Sequence, residues 1–274
     1  MDKNEKYKAI FKCAKQFLND IIAKYPELNQ SILEKHLEHE ARFDNVIDAN
    51  KRLIESLSNR NMMASVINFK GKETQLRSIL CGYDPQAIIN KYPNANVLFD
   101  VFKKNFEIKN VQSKRNLWRK FSEGIISGSK FMASFKDKEE FDNFIKTFAL
   151  NKYTKAALPM LLSKEIKGFG LALACDFIKE LGYRDYPKPD VHLIKIFSDL
   201  GLATSTEPYE VYKAIIEMSE AMGEDAYTVD KIFWLISSGR FYLVNINTGR
   251  KRDEFIRYAK KCLNTYEKNR QSSQ

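Results

Sequence analysis

Apolar side chains recur along this chain at spacings of three and four, and almost nowhere at spacings of two. Ile10, Phe11, Ala14, Phe17, Leu18, Ile21 and Ile22 open the series, which breaks near Tyr25 and Pro26. A backbone that turns once in about 3.6 residues gathers such positions on one face, whereas a strand needs alternation. The same spacing predicts helices over 46–57, 62–67, 76–80, 85–91, 96–105, 114–127, 138–148, 159–164, 171–181, 191–200, 208–221, 227–237 and 251–268. The best alternating run, 241–246, is short. An all-α fold of short helices follows.

A chain of 274 residues, 44% hydrophobic and 12% aromatic, can bury one large core or two modest ones. No apolar run approaches the roughly 20 residues of a membrane span, and the opening MDKNEKYKAI lacks a signal-peptide core. A protein off the membrane is expected, cytoplasmic and nucleoid-associated, or nuclear in a eukaryote. Cys13, Cys81, Cys175 and Cys262 form no C-x-x-C pair, so they read as reduced, structural thiols. His36 and His39 share one helical segment, where an i,i+3 pair is more often solvated than metal-bound. No metal site is expected.

The formal charge is +10, concentrated at Lys103–Lys104, Lys114–Arg115, Arg119–Lys120, Arg250–Arg252 and Lys260–Lys261. Such clusters suit a solvated surface or a phosphate-binding footprint, and charge alone does not separate the two.

One stretch is more specific. Ile166-Lys167-Gly168-Phe169-Gly170 stands just ahead of the apolar run from Leu171. Two glycines at a helix entrance let backbone approach another body closely. They also leave the first amides of the helix free, with partial positive charge behind them, as a phosphate site needs. The same residues also suit an ordinary tight connection between packed helices. A helix over 159–164, with Pro159 in its first turn, this turn, and a helix closed by Gly182 make a helix-hairpin-helix. About 20 residues beyond Gly170, Asp190 follows Pro187 and Pro189 and precedes Val191, Leu193, Ile194, Ile196 and Phe197. By itself that is a helix cap.

Taken together, the glycine turn and the later Asp190-Val191-His192 resemble the helix-hairpin-helix DNA glycosylase superfamily, whose pattern is Leu-Pro-Gly-apolar-Gly followed by Asp-x-His. Ser58-Asn59-Arg60-Asn61-Met62-Met63-Ala64 is similar to a Ser-Asn-Asn-Asn-apolar-Ala stretch of the 8-oxoguanine glycosylase branch. The resemblance covers roughly 53–80 and 158–200 of the chain. It implies a two-lobed fold with a DNA cleft between the lobes. Residues 1–50 would pack with a C-terminal lobe of 183–274, and 51–182 would form the middle lobe ending in the hairpin. It further implies that Asp190 stabilises the charge on deoxyribose as a base departs. Gly168, Phe169, Gly170 and Ala172 would hold a DNA phosphate. Asn59, with Arg60 and Asn61 beside it, would fill the gap left by the extruded base.

Members with lyase activity carry a lysine two residues after the second glycine, and here that residue is Ala172. The implied enzyme is therefore monofunctional, hydrolysing the N-glycosidic bond of a modified base in double-stranded DNA, with an oxidised purine favoured. A non-catalytic DNA-binding protein is the alternative, against which the retained Asp190 argues. Candidates to line the base pocket are Trp118, Tyr153, Phe169, Trp234 and Phe241. The expected protein is a monomer without a cofactor, apart from a monovalent cation that the family places at the hairpin carbonyls on DNA.

Overall fold

A computed structural model describes residues 1–38, 43–59 and 63–271, with side chains to 268. Arg60, Asn61 and His39 lie outside the described residues. In chain order the helices are α1 (Lys3–Ile22), α2 (Gln30–Leu37), α3 (Val46–Ser58), α4 (Met63–Ile67), α5 (Glu73–Ile79), α6 (Pro85–Lys91), α7 (Ala95–Asn105) and α8 (Leu117–Met132). They continue with α9 (Lys138–Thr147), α10 (Lys152–Glu165), α11 (Leu171–Glu180), α12 (Val191–Asp199), α13 (Pro208–Met222), α14 (Ala226–Ser238) and α15 (Arg252–Gln271). The fold is almost wholly helical. Among the described residues the only sheet is a two-stranded antiparallel hairpin, β1 (Arg240–Phe241) with β2 (Ile246–Asn247). The alternating run 241–246 is thus not one strand but the turn of this hairpin with one residue of each arm. No helix among the described residues is long and apolar enough to cross a membrane.

Many helices start where an Asp or Asn side chain satisfies an otherwise unpaired first-turn amide. Asp2 and Glu5 form a reciprocal capping box on α1, and Asn45, Asp84, Asn94, Asn116, Asp137, Asn151 and Asp225 cap later helices. This chemistry moves two expected boundaries. The helix expected over 114–127 waits for the Asn116 cap and runs to Met132. The one expected over 159–164 starts at Lys152, because Asn151 and Thr154 cap each other's backbone. Pro159 therefore stands inside α10, not in its first turn.

The chain divides into two compact units, 1–40 with 182–274, and 41–181. The first division falls ahead of α3, so that helix lies whole in the second unit; the expected cut after residue 50 passes through it.

In the first unit α1 buries Ile10, Phe11, Ala14 and Leu18 against α14 and α15. Ring centroids lie 6.3 Å apart for Phe11 and Phe233, 5.5 Å for Phe17 and Phe255, and 5.4 Å for Phe197 and Phe233. Each such side chain contributes about 1.5–3 kcal/mol by leaving water. In the second unit α3, α6 and α7 pack on α8, and a phenylalanine cluster (Phe135, Phe141, Phe144, Phe177) fills the space behind α9 and α11.

Candidate catalytic carboxylate and phosphate-binding hairpin

In the second unit, the residues 166–170 join α10 to α11 by a tight turn, and the two helices pack on each other as a helical hairpin. Ile166 is fully buried, and its carbonyl accepts the Phe169 N–H at 3.1 Å. Gly168 has φ +94°, a left-handed conformation that strains any residue with a Cβ. Phe169 points inward, 6% exposed, its ring 6.0 Å from that of Phe177. It is a plug under the turn, which removes it from the surface that could stack on a base.

The turn is braced from behind by α8. Ser127 Oγ accepts the Lys167 N–H at 2.8 Å, and a Cβ on Gly124 would come within 2.8 Å of the Lys167 carbonyl oxygen. Gly124 is glycine because the hairpin backbone lies against it.

Gly170 differs from Gly168. Its φ of −102° and ψ of 172° suit any residue, and a Cβ there would meet no atom within 4 Å. No side chain caps α11, so among the described residues the N–H groups of Leu171 and Ala172 have no partner. Ala172 is half-buried, and the flanking Lys164 and Lys167 are exposed. This is an open, positively polarised helix entrance beside two cations.

Asp190 belongs to the first unit. It caps α12, its Oδ1 accepting the N–H groups of His192 at 2.8 Å and Leu193 at 3.2 Å. No described residue donates to its other oxygen. The segment that delivers it is stiffened by the buried Pro187 and Pro189, and the Lys188 N–H donates to Asp230 Oδ2 at 2.8 Å. Asp230, on α14, is 2% exposed. Burial raises the proton affinity of Asp190 above the ordinary carboxylate range, and the Asp230 charge adds to it, against the two capping hydrogen bonds.

His192 stands beside this carboxylate with Nδ1 buried and unpartnered among the described residues. Burial lowers its proton affinity, the Asp190 charge opposes that, and the positive field of Arg252, Arg250 and Arg240 deepens the lowering. A neutral imidazole, two carboxylates and three arginines therefore share this end of the first unit.

The remaining candidates are scattered. Asn59 is exposed at the C-terminal end of α3. Trp118 is 3% exposed, packed on Phe102, Phe106 and Phe121, with an edge on a cavity of about 800 Å³ that Lys72, Lys109 and Arg115 also line. Tyr153 is 59% exposed on α10. Phe241 is wholly buried and belongs to the core of the first unit. Trp234 is half-buried on α14, one turn from Asp230.

Sequence reasoning missed the neighbours of Trp234. Lys231 is 7% exposed, its ammonium 5.0 Å from the Tyr227 and Tyr242 ring centroids and 5.5 Å from that of Trp234, and it donates to Tyr242 Oη at 3.1 Å. Asp230 and Lys231 were visible as two charges inside an otherwise apolar helix, a pattern that asks for buried partners. Among the described residues no group of three or more His, Cys, Asp or Glu could hold a metal ion.

No protein-family model matches this chain, and neither the curated proteins nor the solved structures contain a match.

Proposed function

We propose that the chain is a monofunctional DNA glycosylase of the helix-hairpin-helix superfamily, acting on a modified base, with an oxidised purine as the favoured substrate. The observation that carries this reading is Asp190: one oxygen fixed by two backbone amides, the other left available, on a proline-stiffened approach. In this reading the two units are the lobes of the glycosylase, the second carrying the hairpin and the first carrying Asp190. The amides of Leu171 and Ala172 take a phosphate oxygen, and the hairpin carbonyls would hold a monovalent cation that adds to the attraction for that phosphate.

As the N-glycosidic bond breaks, its electron pair leaves with the base and positive charge develops on the sugar. A carboxylate about 4 Å away, at an effective dielectric near 20, attracts that charge by about 4 kcal/mol, close to a thousandfold in rate. Water then adds to the anomeric carbon and gives its proton to Asp190. Ala172 offers no amine, so no Schiff base forms at that position. Trp234, half-buried one turn from Asp230, supports a stacking role for the extruded base.

The test is excision from duplexes bearing 8-oxoguanine, alkylated purines or mismatched pyrimidines, read as strand breaks after alkali. Wild type is expected to leave an abasic site on at least one lesion, and Asp190→Asn to lose roughly a thousandfold in rate with binding retained. Binding without an abasic product from any lesion would mean that the hairpin holds DNA and nothing is cut. A strong borohydride-trapped adduct would refute the monofunctional assignment.

A further inference from the structure

The hairpin joining α14 to α15 ends in an unusual tip. Tyr242, Leu243 and Val244 are consecutive, and they are 51%, 48% and 38% exposed. Three adjacent apolar side chains in water are a fault in a folded surface unless something covers them. The tip is not loose. A Cβ on Gly239 would fall 2.1 Å from the Gly249 carbonyl oxygen, so the two arms touch at their base. The Thr248 N–H donates to the Gly239 carbonyl at 2.8 Å, and Tyr25 Oη donates to the Thr248 carbonyl at 3.2 Å. Above that base Phe241 is wholly buried, and the Tyr242 ring packs edge-on at 4.8 Å from His36 while its hydroxyl accepts from Lys231. Leu243 and Val244 are left pointing away from a rigid mount.

The charge within the hairpin segment itself is of one sign. From Gly239 to Arg252 there is no acidic residue. Arg240 and Arg250, one at the foot of each arm, are exposed and have no carboxylate partner among the described residues. The charges of the same arginines lower the proton affinity of His192, which stands beside Asp190 in sequence.

We propose that this tip is a wedge for double-stranded DNA: Leu243, backed by Val244, enters the base stack, while Arg240 and Arg250 take the phosphates on either side. The inference rests on the glycosylase reading. A duplex is an apolar stack edged by anions, and an apolar tip edged by unpaired cations is its complement. A duplex whose base has left the stack offers an apolar gap, and a rigid apolar tip on the unit that carries Asp190 matches that gap in chemistry.

The experiment uses the full chain and a short duplex with a tetrahydrofuran abasic analogue, 2-aminopurine beside it, and a fluorescein end label. Binding is read by anisotropy and unstacking by 2-aminopurine fluorescence. Wild type is expected to bind and to raise the fluorescence severalfold. Leu243→Ser and Val244→Ser, both at exposed positions, are expected to keep the melting temperature and hold affinity within about threefold, yet to lose most of the rise. Arg240→Ala and Arg250→Ala are each expected to lower the salt slope of binding by about one. Wild-type binding without a fluorescence rise, or a full rise in Leu243→Ser, overturns the wedge and leaves the glycosylase reading standing. No binding to any duplex removes both. Binding to phosphatidylserine vesicles but not to DNA makes the tip a membrane element and likewise overturns the proposal.

Discussion

Asp190 is pulled toward its protonated form by burial and by the Asp230 charge, against its two capping hydrogen bonds and the His192 charge. Burial and the Asp230 charge both disfavour its ionised form, so its proton leaves at a higher pH than that of a free aspartate. The proposed mechanism needs the carboxylate, so in that reading activity should fall on the acid side through that raised value. Asp230→Asn removes the like charge while its amide oxygen can still accept the Lys188 N–H. The expected outcome is an acid limb displaced to lower pH in a profile of kcat/KM, with the alkaline side unchanged. A limb that stays put would mean the two acids do not sense each other during turnover. The sequence showed Asp190 and its capping role plainly, because a proline-flanked aspartate before an apolar run is local chemistry. It did not show Asp230, some 40 residues further on, because only the packing of α12 against α14 joins them.

At the scale of the element, the hairpin separates fold from function through its two glycines. Gly168 is required by its own φ, so Gly168→Ala should destabilise the second unit by about 1–2 kcal/mol. Gly170 has an ordinary conformation and open space where a Cβ would project. Gly170→Ala should therefore leave thermal stability within about 0.5 kcal/mol of wild type, the range of harmless surface changes. It should nonetheless weaken duplex binding several-fold, because in the proposed complex the added methyl would stand in the phosphate's approach. Melting curves beside anisotropy titrations make the comparison. Unchanged binding by Gly170→Ala would show that this helix entrance is only a connection. The helices were legible because their apolar spacing and their Asp and Asn caps are written locally. The full length of α10 was not, since Pro159 reads as a start when the Asn151–Thr154 cap goes unweighed. Nor was the bracing by Gly124 and Ser127, which lie about 40 residues upstream of the turn they support.

For the whole molecule, titration falls on one unit. Among the described residues the histidines, at 36 and 192, lie in 1–40 and 182–274, and the sequence 41–181 has none. His36 is fully buried; its Nδ1–H donates to the Ile32 carbonyl at 2.7 Å, which leaves Nε2 facing the Leu243 N–H at 3.5 Å. Burial lowers its proton affinity, the bond to Ile32 opposes this, and the nearby Lys231 charge adds to the lowering. His192 is lowered as well. An imidazole kept neutral in the fold but free to protonate when unfolded contributes stability that is whole above the ordinary value of 6.5. That contribution drains away as pH falls from there through the depressed folded value. Asp190, with its raised value, acts in the opposite sense, so a His36→Gln variant is needed to isolate the imidazole's part. The two tryptophans report separately, Trp118 from the second unit and Trp234 from the first. In Trp118→Phe, the fluorescence melting midpoint from Trp234 should drop by several degrees between about pH 7 and pH 5.5, and adding His36→Gln should shrink that drop. In Trp234→Phe, the midpoint from Trp118 should hold nearly constant over the same interval. A parallel fall at both reporters would show that the units melt as one cooperative body, and a fall at Trp118 alone would contradict the placement of the titrating groups.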